Sequence, residues 1–208
     1  MNRVNNINNN ADVGIIEAVK KAREYLENIT PVKGDCGLLC GSFCCQKRKP
    51  NPEDFGNFTK FGMWLFPYED KLYENNPRFK IVHGKGNKSY PFLMCGGRCK
   101  REERPLFCRF FPYFPVVEPV KKSEREKKFK VKIIIHPTAL NMCPLIFNPQ
   151  YKLRVTSDFS RSVKKAVYVM LNQNCDELRK YLEETGDYLN SMMEFVHRIM
   201  NYKITGKG

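Results

Sequence analysis

CGLLCGSFCC, residues 36–45, sets four cysteines into ten positions, and CGGRC at 95–99, Cys108 and Cys143 supply four more from distant segments. Long stretches between these groups carry no cysteine, so the eight thiols read as metal ligands converging from separate parts of the chain. In the first group Cys36, Cys40 and Cys44 are four apart, which puts their sulfurs on one side of successive helical turns, while Gly37 and Gly41 permit close approach. Cys45 follows Cys44 directly. Adjacent side chains diverge on a helix or a strand, so this pair points to two neighbouring metal sites with one sulfur each, or to one polynuclear cluster. In the second group, CGGRCKREERPLFCRFFPYFP (95–115), Cys95 and Cys99 form a glycine-rich knuckle, and Arg98, Arg104 and Arg109 stand ready to offset thiolate charge.

A chain of 208 residues accommodates one domain with its own core. The expected division is a disordered N-terminus over residues 1–10 and a single metal-binding domain over 11–208. That domain has a cysteine core at about 31–147 and a C-terminal helical layer at about 158–202. Hydrophobic content of 42% argues against disorder of the whole, and the excess of lysine and arginine predicts a modest core that needs staples. No apolar run is long enough for a membrane span and MNRVNNINNN lacks a signal-peptide core, which predicts a cytoplasmic protein without membrane contact. Disulfides do not persist in a reducing compartment, so clustered thiols there point to metal. The formal charge of +14 includes +3 within residues 31–50 and +3 within 95–113, beside the cysteines. Part of that charge neutralises thiolates; the rest suits an acidic protein partner or nucleic acid.

The remaining segments predict an α+β fold with two β-hairpins, irregular cysteine loops and terminal helices. Ile15, Val19, Ala22, Leu26 and Ile29 recur at helical spacing behind Asp12 as N-cap, giving an amphipathic helix that ends near Thr30 and Pro31. GMWLFPYEDKLYENNP (62–77) reads as a short apolar stretch, a turn and a short helix, with Glu69 and Asp70 complementing its dipole. FKIVHGKGNKSYPFLMC (79–95) reads as a first hairpin, and FPVVEPV with FKVKIIIHP around KKSEREKK as a second. Helices follow at about 158–173, 176–184 and 187–201, capped by Asp158, Asp176 and Asp187 and interrupted at Thr185-Gly186. Cys175 stands alone and is left out of the ligand set.

CxxxCxxxCC at 36–45, CxxxCxxxxRPxxCRxFP at 95–112 and the CP at Cys143 together resemble the zinc- or iron-chelating CxxCxxCC family, over roughly residues 35–145. The closest likeness is to small clostridial-type proteins with a GMWLFPYE-like stretch. The resemblance implies eight metal-chelating cysteines, which match Cys36, Cys40, Cys44, Cys45, Cys95, Cys99, Cys108 and Cys143. This chain carries one extra residue in each of the first two intervals. A related cysteine-rich region of flagellin lysine N-methylases is associated with an iron–sulfur cluster, but no glycine-rich strand-to-helix signature for S-adenosylmethionine occurs here. Three functions follow: an accessory or structural metalloprotein holding zinc or an iron–sulfur cluster; an iron–sulfur redox or methylation-associated enzyme component; and a zinc-organised nucleic-acid binder stacking bases on Phe107, Phe110, Phe111 and Tyr113 beside Arg109. A thiol enzyme built on Cys108 and His136 ranks below these, as does His136 as a ligand, since eight cysteines already fill two sets of four.

Overall fold

A computed structural model describes residues 9–32, 34–45, 62–83, 90–95, 99–120, 128–146, 155–173 and 175–205. The basic exit QKRKPNPED, the GKGNK turn, Gly96, Gly97 and Arg98, and most of the KKSEREKK tip lie outside the described residues. The fold is α+β. Helix α1 (Asn9–Glu24) is followed by the one-turn helix α2 (Cys36–Leu39) and by strands β1 (Gly62–Trp64), β2 (Lys80–Val82) and β3 (Phe92–Met94). Helix α3 (Leu106–Phe110) leads through a cis peptide at Phe111-Pro112 into β4 (Tyr113–Val120). The long partner strand β5 (Lys128–Ile135), the short helix α4 (Ala139–Met142), then α5 (Ser157–Leu171) and α6 (Asp176–Thr205) complete the order. Among the described residues no helix is long and apolar enough to cross a membrane.

Both expected hairpins form. β2 and β3 pair antiparallel with Ile81 opposite Leu93, and β1 joins the far side of β3, which makes a three-stranded sheet in the order β1-β3-β2. β4 and β5 pair antiparallel from Tyr113 opposite Ile135 to Val120 opposite Lys128. All five residues from Tyr113 to Val117 are buried, so the inner end of β4 is covered on both faces. Helices α1 and α5 contribute Ile15, Val19, Ala22, Val163, Ala166 and Val167 to the cluster that contains Phe107, Phe110 and Phe114. Helix α6 adds Leu178, Tyr181, Leu182 and Leu189 to the same cluster. This main core is larger than the composition suggests, and none of the eight clustered cysteines belongs to it.

Four boundaries differ from the sequence expectation. α1 starts at Asn9, so Asn9 and Asn10 are helical rather than part of a disordered end, and Asp12 lies in the first turn instead of capping it. It also stops at Glu24, although the apolar spacing runs on to Ile29. Arginine side chains from the second cysteine segment take the carbonyls that further helix would use: Arg109 Nη1 donates to Arg23 O at 3.0 Å, and Arg101 donates to Glu27 O at 2.8 Å and to Ile29 O. α5 is capped by Thr156, whose hydroxyl accepts from Phe159 N at 3.2 Å, not by Asp158. Finally, α6 runs unbroken through Gly186, where a stop was expected.

Gly186 has a packing reason to be there. A Cβ at this position would lie 3.0 Å from Val116 Cγ1, so the missing side chain is what lets α6 lie against β4. Gly186→Leu should therefore lower stability by about 1–3 kcal/mol in urea unfolding despite leucine's better helix propensity, and Val116→Ala should restore part of the loss. A stabilised Gly186→Leu variant would contradict this packing.

Candidate metal centre

The cysteines lie at the edge of the main core, around a second apolar cluster. Val32, Phe111, Ala139, Cys143 and Leu145 are buried together, with Cys36 and Cys40 packed against them. Asp35 organises the approach: its carboxylate accepts from Gly37 N at 2.7 Å and caps α2, which begins at Cys36. Gly41 and Ser42 then adopt left-handed backbone angles, with φ of 61° and 57°, and the chain turns into a single 3₁₀ turn at Phe43–Cys45. The outcome differs from the divergence expected of neighbours, because Cys44 Sγ and Cys45 Sγ are 3.9 Å apart. Two sulfurs on one tetrahedral zinc are separated by about 3.8 Å, given zinc–sulfur bonds of about 2.3 Å. Adjacency is thus no geometric bar to metal binding by this pair.

From the second segment come Cys95, at the end of β3, Cys99, and Cys108 in α3. All nine cysteines are free of disulfides, and Cys175 packs against the main core, away from the apolar cluster that holds Cys36, Cys40 and Cys143. The thiols act on one another's ionisation. The contact with Cys44, aided by the Arg104 charge, brings Cys45 down to about 7, while the same contact and burial push Cys44 well up. A hydrogen bond with Cys95, then burial, raises Cys99; burial raises Cys108 and Cys143. Burial followed by the Asp35 charge raises Cys36 to about 11. Such crowding of thiols that resist losing protons is the situation a thiophilic cation relieves.

Among the described residues, Arg104 is the arginine whose charge bears on Cys36, Cys45, Cys99 and Cys108 together. Its buried Nε–H has no hydrogen-bond acceptor among the described residues. A thiolate sulfur turned inward on a metal would supply one, so the donor set and this orphaned N–H both fit a thiolate-bound metal. Among the described residues no three His, Cys, Asp or Glu side chains converge on one point, so holding an ion requires the thiol side chains to turn toward a shared centre.

Arg109 does something other than offset thiolates. It is buried and donates to Arg104 O at 2.7 Å, Glu102 O at 2.8 Å and Arg23 O at 3.0 Å, so its charge ties three stretches of backbone together. Burial lowers its pKa to about 10, which leaves it charged at neutral pH. Phe107, Phe110, Phe111 and Tyr113 are buried as well, which removes them as a base-stacking platform. His136 directly follows β5 and lies against the rings of Phe107, Phe111 and Phe114, and Thr138 engages its Nδ1 through N–H at 3.2 Å and the hydroxyl at 2.7 Å. Burial depresses it to about 4, so it is neutral at pH 7.

Glu69 is the residue that sequence reasoning missed. Instead of complementing a helix dipole from the surface, it is fully buried. A left-handed residue, Tyr68 with φ 65°, turns the chain so that the Glu69 carboxylate accepts from Phe66 N at 3.2 Å and from Leu106 N, at the start of α3, at 2.7 Å. Burial raises its pKa from 4.5 to about 7, against the pull of these N–H groups and of Arg23 and Arg109. Its position directly after the apolar run WLFPY was the available signal.

Comparison with protein-family models, with curated proteins and with solved structures finds no match to this chain. The site therefore has to be read from its own chemistry.

Glu69 gives that chemistry a pH dependence. In the unfolded chain its carboxyl deprotonates near 4.5 and in the folded protein near 7, so between those values the folded state holds more protons. Its contribution to stability is complete below pH 4.5 and is lost as pH rises through about 7, on the order of 3 kcal/mol in all. Glu69→Gln keeps an acceptor for Leu106 N and cannot ionise. Urea unfolding at pH 5 and pH 8 should show that wild type loses stability relative to the Gln variant at the higher pH; parallel behaviour of the two would contradict the shift.

Proposed function

We propose that this chain is a metal-binding protein in which Cys36, Cys40, Cys44, Cys45, Cys95, Cys99, Cys108 and Cys143 hold zinc or an iron–sulfur cluster, in an accessory or structural role. The observation that carries the reading is the nearness of thiols from three segments, Cys36 and Cys45, Cys99, and Cys108, to Arg104, whose buried Nε–H lacks an acceptor among the described residues. Composition supports it too: nine cysteines, none in a disulfide, suit a reducing cytoplasm, where metal ligation is the stable fate of clustered thiols. The likeness to the CxxCxxCC family belongs to the same proposal.

When bound, zinc would supply a closed, redox-inert crosslink, whereas an iron–sulfur cluster would supply electron transfer. The protein's own contribution is common to both. Asp35 and the left-handed turn at Gly41 and Ser42 present the first four thiols; α3, fixed by Glu69 and Arg109, presents Cys108; Arg104 offsets thiolate charge. A redox or methylation-associated enzyme component would use the iron–sulfur form of this centre. The nucleic-acid alternative loses its proposed aromatic surface to the core, and an acidic protein partner suits the +14 chain instead.

Anaerobic purification followed by metal analysis and an absorption spectrum tests the proposal. Thiolate-bound zinc should give a colourless protein with stoichiometric metal, and an iron–sulfur cluster a brown one absorbing near roughly 400 nm. Metal-free protein whose clustered thiols all react with a thiol reagent under native conditions would overturn it.

A further inference from the structure

The two faces of the β1-β3-β2 sheet have different surroundings. On the inner face Met63, Leu93 and Ile81 stand in register across the strands and pack into the apolar clusters. Because side chains alternate along a strand, Trp64, Phe92 and Val82 form one row of the outer face, and Gly62, Met94 and Lys80 form the next. Trp64, Phe92, Val82 and Met94 belong to none of the three apolar clusters of the described residues. Trp64 is 43% exposed and Val82 40%, with Phe92 and Met94 half-buried beside them and Lys80 exposed. The Trp64 and Phe92 rings meet edge to face with centroids 5.1 Å apart. A Cβ at Gly62 would fall 2.3 Å from Phe92 Cε1, so the glycine leaves open the space that the ring fills. Two aromatic and two aliphatic side chains thus share a face that the rest of the fold leaves uncovered.

The sequence around this face carries charge of one sign. Between Glu74 and Glu102 there is no acidic residue, while the same stretch holds seven lysines and arginines. Lys80 stands on the face itself and has no ion-pair partner among the described residues. An apolar patch with a tryptophan anchor and a cationic rim is complementary to apolar side chains set among carboxylates. Resting on the reading of an acidic protein partner given above, we propose that such a partner docks an acidic segment on the outer face of the β1-β3-β2 sheet. Its apolar side chains lie against Trp64, Phe92, Val82 and Met94, and its carboxylates face Lys80. Single-stranded nucleic acid fits this face less well. Successive bases need open ring faces to stack on, whereas Trp64 and Phe92 stand at 75° to one another beside aliphatic Val82 and Met94. Lys80 is the one cation in the two outer rows, short of a track for phosphates. Met94 runs straight into Cys95, so a partner on this face lies next to the second cysteine segment.

Trp64 is the only tryptophan of the chain, so its emission reports on this face directly. The probe is a tryptophan-free peptide with leucine and phenylalanine at its centre and glutamates on both sides, titrated at low salt into the full chain purified anaerobically. Docking should shift Trp64 emission to the blue until it saturates, and added salt should weaken it. With the peptide labelled and read by anisotropy, Trp64→Ala and Phe92→Ala should each weaken binding about tenfold, whereas Trp64→Phe, which keeps a ring beside Phe92, should weaken it less than about threefold. Lys80→Glu should bind more weakly than wild type at low salt, with the difference closing as salt is raised. Unchanged Trp64 emission would overturn the proposal, and so would equal binding of a peptide with lysines in place of the glutamates. Stronger quenching of Trp64 by oligothymidylate than by the peptide would overturn it in favour of nucleic acid. Metal content measured on the same sample is a separate result: a metal-free chain that still takes the peptide would overturn the metal reading and leave this docking face standing.

Discussion

The buried guanidinium of Arg109 is the constraint on which the arrangement of this protein depends. It sits on α3 next to Cys108 and donates to carbonyls of Arg23, Glu102 and Arg104, which joins the end of α1 to the segment leading into α3. Hydrogen bonds from a charged donor are worth about 1.5–3 kcal/mol each, and removing the donor would strand three partly buried acceptors. Glu69 holds the same helix from the other end by accepting Leu106 N. Between these two anchors α3 has little freedom to shift, so Cys108 and Arg104 take fixed positions before any metal is considered.

A division of labour follows. The main core of α1, α5, α6, β4 and β5 contains none of the eight clustered thiols, whereas the small cluster around Val32 and Phe111 includes Cys143 and abuts Cys36 and Cys40. Most apolar burial, and with it most of the hydrophobic stabilisation, is therefore independent of the cysteines. A metal would order the cysteine end and its short α2 and 3₁₀ turns, elements too brief to be stable alone. In this account the larger part of the molecule is the scaffold, and the ligand loops are the part that metal tightens.

Much of the fold was legible because its signals are local. The Ile15-Val19-Ala22-Leu26 stripe, the alternation in FKVKIIIHP and the hairpin ending at Cys95 each depend on neighbours in sequence. Gly186 misled because a glycine within a helical pattern looks like a stop until a strand is known to cross it; only Val116 explains it. Arg109 and Glu69 misled for a related reason. Charged residues are assigned to solvent unless tertiary partners are visible, although Arg109 is the only charge in PLFCRFFPYFPVV and that isolation marked it. Cysteine spacing pointed to thiols from separate segments, but the approach of Cys44 to Cys45 depends on the left-handed turn at Ser42, and the packing of Cys36, Cys40 and Cys143 depends on the cluster of Val32 and Phe111, which spacing does not encode.

Hydrogen exchange of the protein with its metal and after anaerobic chelation tests this division most directly. The account predicts that α1, α5, α6 and the β4–β5 hairpin keep their protection while amides of residues 36–45 and 99–110 lose theirs. Global loss of protection on chelation would contradict it by making metal the condition for the whole fold, and unchanged protection at the cysteine segments would contradict it by showing that metal orders nothing there.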